Sequence, residues 1–162
     1  MAGLALISSS CENKQKQQPR TYTQEELLDA NRKMVSNESD LIDAYIAKNG
    51  WEMEKTATGL RYEIYHDSSG TPPTAEKVAT IAYSAYLLDS TRVSATDQMT
   101  TKQFRIGRDD VISGLHEAVL LLSEGDSARL ILPAYLAYGL TGDKNIPSNA
   151  ALFYDLTLVS VR

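Results

Sequence analysis

The chain has 162 residues, with 21 acidic and 16 basic side chains and a net charge of −5. This length suits one domain with a small appendage, and 43% hydrophobic residues are typical of a globular protein that buries a core. A single cysteine and two histidines exclude an internal disulfide and a cysteine-based metal centre, so we predict no metal site and no cofactor. The acidic balance disfavours nucleic acid as a partner, because phosphate contacts need a basic surface.

Residues 1–22 are predicted to be a signal with a flexible tether. The first eleven residues, MAGLALISSSC, run from apolar to small side chains and end in the only cysteine, Cys11. This order resembles a bacterial lipoprotein signal, in which the cysteine is lipidated and becomes the new N-terminus. The resemblance implies a lipid anchor on Cys11 and a place in the bacterial cell envelope, facing the periplasm or the exterior. The alternative is an unstructured terminus with an incidental cysteine.

Residues 23–50 are predicted to be a helical segment. Thr23 and Glu26 have the spacing of a capping box, and apolar pairs recur every seven residues in a stripe that indicates one helix over residues 24–48. Gly50 suits the C-terminal end of that helix. The favoured interpretation is that the apolar stripe packs on its own domain, and the alternative is a homodimer through residues 24–48.

Residues 51–162 are predicted to form an α+β domain of antiparallel-type strands around one short helix. Alternating or apolar segments indicate strands at 59–65, 78–88, 104–106, 128–132 and 152–158. Residues 89–102 are polar and lack periodicity, which predicts a long excursion without regular structure. The pair Asp109 and Asp110 suits a helix start, and apolar residues continue at helical spacing to Leu122.

Common catalytic and nucleotide-binding motifs are absent from the sequence: the chain has no nucleophile elbow, P-loop or dinucleotide fingerprint. His116 and Glu117 are neighbours on the predicted helix, where adjacent residues do not face each other, so both are expected to be surface residues. An enzymatic role would therefore need chemistry without charged groups.

The segment from Gly59 to Arg162 resembles an FKBP-type peptidyl-prolyl isomerase domain. Five pieces carry the resemblance in the family's order, namely IAYSAYL at 81–87, FRIGRDDVISGLHEAV at 104–119, LLSEGDSARLILP at 121–133, LAYG at 136–139 and IPSNAALFYDLTL at 146–158. The resemblance implies an antiparallel β-sheet curled around a short α-helix, here preceded by the N-terminal helical segment.

The resemblance also implies a site for proline-containing polypeptides. By the matching positions, the Tyr138 hydroxyl would reach the substrate and the Ile112 backbone amide would donate to a substrate carbonyl. The walls of the pocket would be formed by Tyr83, Val93, Val111, Leu115, Ile146 and Tyr154.

Several of these positions depart from the family pattern. Val93 and Ser94 stand where the family commonly has Phe-Asp, and Leu115 stands where many members have a tryptophan. A second pocket aromatic of the family falls near Lys102, so this chain lacks it. As a whole, the resemblance still implies a peptidyl-prolyl isomerase that assists the folding of exported proteins. Because the pocket has fewer aromatic side chains than the family pattern, an alternative is a peptide-binding or chaperone module with little or no isomerase turnover.

Overall fold

One antiparallel sheet dominates the computed structural model, which describes residues 21–96 and 100–162. Its seven strands within these residues are β1 Glu54–Lys55, β2 Arg61–His66, β3 Val78–Leu87, β4 Arg92–Ala95, β5 Lys102–Arg105, β6 Ser127–Leu132 and β7 Leu152–Val161. Their order is β1-β2-β6-β7-β3-β4, and β5 pairs with the first half of β3. Two α-helices, α1 Gln24–Asn49 and α2 Ser113–Val119, and a 3-10 turn at Ala134–Leu136 complete the described elements. The predicted fold class is confirmed.

The two faces of the sheet carry different helices. Successive side chains of a strand point to opposite faces, so neighbouring residues of β6 and β7 enter different clusters. One face packs against α2 and forms the main core, which includes Leu115, Leu130, Leu132, Tyr154 and Leu156. The opposite face carries Ile131 and Phe153 and is covered by Ile42 of α1. The sheet therefore separates the N-terminal helix from the helix that lies within its curve.

Helix α1 begins and ends as its sequence predicts. The Glu26 amide donates to the Thr23 hydroxyl at 3.2 Å, and the Thr23 amide donates to the Glu26 carboxylate at 2.8 Å, which completes the capping box. Gly50 adopts a left-handed φ of 66° and closes the C-terminal end. The N-terminal helix is thus confirmed, whereas the boundaries of the three predicted segments stay a prediction.

The expectation that the apolar stripe of α1 packs on its own domain holds only for the C-terminal part of the helix. Ile42 is fully buried, and Tyr45 and Ile46 pack beside it. The rest of the stripe is 42–65% exposed in this single chain, at Leu27, Leu28, Met34, Val35 and Leu41. Residues 21–37, which include the first half of the helix, are all exposed.

Two predicted elements are wrong in detail. The excursion at 89–102 contains β4, because these polar residues pair with the edge of β3, where Ser84 lies opposite Ala95. Pairing to a long central strand overrides the weak local preference. The helix after Asp109 begins only at Ser113 and ends at Val119. The Asp109 carboxylate instead accepts a hydrogen bond from the Arg105 amide at 2.7 Å, which closes a turn ahead of the helix.

Candidate functional site

Two tyrosines of the central strands form the floor of the candidate site. Tyr83 on β3 and Tyr154 on β7 lie on the face of the sheet that packs against α2, with ring centroids 5.3 Å apart. Tyr154 is 3% exposed, whereas Tyr83 is half-buried. Burial raises the pKa of Tyr154 far above its ordinary value, and the nearby phenols of Tyr138 and Tyr83 act in the same direction. Tyr154 therefore stays protonated.

Tyr138 is presented by the loop that follows β6. The 3-10 turn at Ala134–Leu136 precedes it, and the Gly139 amide donates to the Ala134 carbonyl at 2.8 Å. Gly139 has a φ of 58°, a conformation that glycine adopts without strain. Burial raises the pKa of the Tyr138 hydroxyl, and Asp143 and Tyr83 raise it further. Within residues 21–96 and 100–162 this hydroxyl makes no hydrogen bond, so it is available as a neutral donor.

The second donor is the Ile112 backbone amide at the entrance to α2. Ile112 precedes the helix with φ −55° and ψ 140°, and its carbonyl accepts from the Leu115 amide at 3.0 Å. Its own N–H has no partner in the described part of the chain. Val111 and Ile112 are half-buried and pack against the main core. An unpartnered amide beside apolar side chains is suited to bind a carbonyl oxygen.

The wall at β4 carries Val93 where the family commonly has a phenylalanine, but it retains a polar contact. Val93 is half-buried and packs against the main core. The Ser94 hydroxyl lies 3.1 Å from the Tyr83 hydroxyl, a hydrogen bond in which either group can donate. A serine thus binds this tyrosine at the position where the family commonly has a carboxylate. The predicted set omits Ser94 although the resemblance aligns it with that carboxylate, and the pairing of β4 with β3 shows its contact with Tyr83.

The remaining predicted wall residues lie deeper. Leu115 is 2% exposed on α2, and Ile146 is 8% exposed in a turn held by reciprocal backbone hydrogen bonds with Asp143, of 2.7 and 2.9 Å. Both belong to the buried cluster against which the more exposed predicted residues pack. All eight predicted residues belong to one apolar cluster, with Leu115, Ile146 and Tyr154 inside it and Tyr83, Val93, Val111, Ile112 and Tyr138 packed against it.

Other chemistry is sparse in the described part of the chain. Residues 21–96 and 100–162 contain no group of three metal-ligating side chains. No helix among them is long and apolar enough to cross a membrane. Cys11, the predicted lipidation site, lies outside the described residues.

A separate cleft of about 550 Å³ lies between α1 and the sheet. Charged and polar side chains contribute much of its lining, including Arg32, Asp40, Lys55 and Arg61. It contains none of the predicted site residues. An apolar environment for an uncharged amide is instead present at the tyrosine cluster.

The domain is similar to known proteins in both sequence and structure. Residues 69–159 match the model of the family described as FKBP-type peptidyl-prolyl cis-trans isomerase. The chain is 36% identical to a probable FKBP-type peptidyl-prolyl cis-trans isomerase FkpA of Neisseria meningitidis over 117 residues, which are 71% of this chain and 42% of that protein. It is 38% identical to a peptidyl-prolyl cis-trans isomerase of Drosophila melanogaster over 97 residues, 59% of this chain and 89% of that one.

Solved structures extend the similarity to the fold. The crystal structure of FkpA from Escherichia coli superposes with a TM-score of 0.67 at 24% identity, covering 87% of this chain and 74% of that chain. A peptidyl-prolyl cis-trans isomerase from Pseudomonas syringae gives a TM-score of 0.68 at 24% identity, covering 80% and 94%. The match spans less than half the length of the FkpA-type sequence relatives from Aeromonas hydrophila and Neisseria meningitidis, 45% and 42% of each.

Proposed function

The chain belongs to the FKBP-type peptidyl-prolyl cis-trans isomerase family, and from that premise we propose that it catalyses the cis–trans isomerisation of X–Pro bonds in exported polypeptides. The uncatalysed reaction crosses a barrier of about 18–20 kcal/mol and takes tens to hundreds of seconds. No covalent bond is made or broken, so no nucleophile is needed.

Catalysis of this rotation requires tighter binding of the twisted amide than of the planar one. The twisted amide has lost its resonance and is less polar than the planar form. The apolar surface formed by Tyr83, Val93, Val111 and Tyr154 favours that less polar state. The Ile112 amide would hold a substrate carbonyl, and the Tyr138 hydroxyl would orient the chain beside it.

The observation that carries the proposal is that Ile112 and Tyr138, whose N–H and hydroxyl have no hydrogen-bond partner among the described residues, pack against the same apolar cluster. Proline-limited refolding of a model protein tests it. Micromolar protein is expected to accelerate the slow refolding phase. An unchanged phase, together with binding of the unfolded chain, would instead support a peptide-binding or chaperone module without turnover, which the smaller side chains Val93 and Leu115 favour.

Two matched pairs of variants test the donors. Tyr138→Phe is expected to lower kcat/KM about fivefold, because one hydrogen bond contributes about 1 kcal/mol. Tyr65→Phe, which removes a hydroxyl bound to Asp155 on β7, is the control and is expected to have no effect. Equal activities of Tyr138→Phe and Tyr65→Phe would remove Tyr138 from the proposed site.

Ile112→Pro removes the N–H at a φ of −55°, close to the value that proline imposes. Ile112→Ala keeps the N–H and loses the side chain. The proline variant is expected to be at least fivefold less active than the alanine variant, with thermal melting as the check on folding. Equal activities would mean that the amide does not bind substrate.

The cellular setting is also a proposal. The signal-like residues up to Cys11 and the similarity to FkpA-type proteins support a lipid-anchored protein of the bacterial envelope. Mass spectrometry of the native protein is expected to find acylated Cys11 and no residues 1–10. An unmodified Cys11 within an intact N-terminus would contradict the anchor.

We further propose that the exposed stripe of α1 forms a homodimer contact. Five large apolar side chains of this helix are 42–65% exposed. An exposed apolar stripe of this size along one helix face typically marks a contact with a partner. A second copy would supply the same complementary stripe.

A further inference from the structure

His116 uses both ring nitrogens to hold the segment that leads to the Ile112 amide. It lies in the last turn of α2, and the Gly107 amide donates to Nδ1 at 3.0 Å. Nε2 lies 3.1 Å from the Asp109 carbonyl oxygen. The ring also makes an edge-to-face contact with Phe104, at a centroid separation of 5.4 Å. His116 is thus a partly exposed residue, as expected, and it also holds the loop that precedes its helix.

These contacts require one protonation state. Nδ1 accepts a hydrogen bond from the Gly107 amide, which can only donate, so Nδ1 carries a lone pair. Nε2 faces a carbonyl that can only accept, so Nε2 carries the hydrogen. This is a single tautomer of the neutral imidazole. In the imidazolium ion Nδ1 also bears a hydrogen, which would face the Gly107 N–H and turn an attraction into a repulsion.

The held segment is a closed turn that ends at the proposed donor. The Asp109 carbonyl that receives His116 also accepts the Val111 amide at 2.9 Å. The Asp109 carboxylate accepts the Arg105 amide at 2.7 Å. Gly107 has a φ of 75°, so the backbone reverses direction beside the imidazole. The next residue after Val111 is Ile112, whose N–H is unpartnered among the described residues.

We propose that neutral His116 is a positioning residue for the Ile112 amide, and that its protonation lowers isomerase activity by releasing the turn at 107–111. The inference rests on the proposed function. His116 touches no reacting atom and acts through the backbone that it holds.

Among the described residues, none of the charged groups near the His116 ring acts as its counterion. The segments packed against it carry Lys102, Arg105, Arg108, Asp109 and Asp110, and α2 itself carries Glu117. Arg108 pairs with Glu76, and Glu117 accepts the Thr58 hydroxyl. The Asp109 carboxylate is bound to the Arg105 amide rather than to the imidazole. No carboxylate among the described residues forms an ion pair with His116 that would compensate its positive charge.

The pH dependence of kcat/KM between pH 5 and 8 tests the proposal, because protonation of His116 would remove the acceptor at Nδ1. With a proline peptide that does not itself titrate, activity of the whole protein is expected to fall at least threefold between pH 7.5 and 5.5. His116→Phe keeps the contact with Phe104 but loses both hydrogen bonds. It is expected to be about fivefold less active at pH 7.5 and independent of pH.

A conservative variant and the second histidine are the controls. In His116→Asn, Oδ1 can still accept the Gly107 amide but cannot titrate, so activity above that of His116→Phe and a flat profile are expected. His66 is exposed at the end of β2, so His66→Asn is expected to retain the wild-type profile. A wild-type profile in His116→Asn would overturn the proposal.

Amide chemical shifts separate this inference from the proposed function. In the wild-type protein the Gly107 and Ile112 amide resonances are expected to titrate with one midpoint, and both titrations are expected to vanish in His116→Asn. If the protein lacks isomerase activity at pH 7.5, the proposed function fails while these shifts still decide the positioning. An Ile112 amide that does not follow the Gly107 titration would overturn it.

Discussion

Single side chains decide how wide the candidate pocket is. Leu115 cannot be enlarged easily, because it is 2% exposed and α2 lies close to β6, where a Cβ on Gly114 would meet Leu132 at 2.9 Å. Val93 differs because it is half-buried on β4, a strand with one unpaired edge in the described sheet. The wall at Val93 can therefore accept a larger side chain.

We expect Val93→Phe to strengthen binding of a proline peptide about fivefold, since a further aromatic contact contributes about 1 kcal/mol. KM or a calorimetric Kd measures this. Val159→Phe adds the same side chain on β7, where the valine is 44% exposed, and should leave binding unchanged. Unchanged binding by Val93→Phe would place position 93 outside the pocket, and weaker binding would mean that its wall has no room for a larger side chain.

A buried carboxylate directly before β6 is expected to contribute to stability in acid. Asp126 is 2% exposed and accepts the Ser68 and Ser123 amides, each at 2.7 Å. Burial acts to raise the pKa of Asp126, but these amide hydrogen bonds together overcome it and hold the pKa below its ordinary value. Because the pKa is lower in the folded state, the stabilisation is present above the unfolded pKa and is lost as pH falls through the folded one.

Asp126→Asn is therefore expected to cost about 1–3 kcal/mol at pH 7, since a neutral amide oxygen replaces a charged acceptor of two amides. The variant should also lose part of the acid-induced fall in stability below about pH 4. Urea unfolding between pH 2.5 and 7 measures both effects. Asp67→Asn, an exposed neighbour, is the control, and equal curves for the two variants would contradict this role.

Helix α1 is attached to the sheet by one buried cation as well as by apolar packing. Arg61 on β2 is 3% exposed, and its guanidinium donates to Asp43 at 2.8 Å, to Ser39 at 2.9 Å and to the Gly59 carbonyl. Glu38 accepts the Ala134 amide at 2.7 Å, next to the turn that presents Tyr138. Burial raises the pKa of Glu38, and the Ala134 amide opposes that shift.

Asp43→Ala is expected to cost about 1–3 kcal/mol in unfolding free energy, because it removes a charged acceptor from the buried Arg61 guanidinium. Asp40→Ala removes an exposed carboxylate from the same helix and should cost less than about 0.5 kcal/mol. Denaturant unfolding measures both. Similar costs for the two variants would mean that the Arg61–Asp43 pair does not attach the helix.

Elements with strong local signals were predictable, and those that depend on a partner were not. The capping box of α1 and the alternation of β3, β6 and β7 are visible in the sequence because they are periodic over several turns or residues. Strand β4 is not visible, because its polar residues become a strand only along the edge of β3. The start of α2 was misplaced since Asp109 binds the Arg105 amide instead of capping the helix.

At the scale of the whole molecule, the exposed apolar stripe of α1 predicts a dimer. Val35→Glu and Leu28→Glu place charges in the exposed stripe and are expected to give the mass of one chain by light scattering, against two for the wild type. Leu140→Glu alters a side chain that is 71% exposed on another surface and should not change the mass. A wild-type mass of one chain at tens of micromolar would contradict the dimer.

The sequence by itself determined the fold class, the N-terminal helix and the family, because apolar periodicity and ordered motifs reflect local backbone geometry and burial. Tertiary structure decided which residues meet: Ser94 with Tyr83, His116 with Gly107, and Arg61 with Asp43. These contacts join two strands, a helix and the loop before it, and a strand and a helix, respectively. Hydrogen-bonding partners depend on how the elements pack, and neither composition nor spacing records that packing.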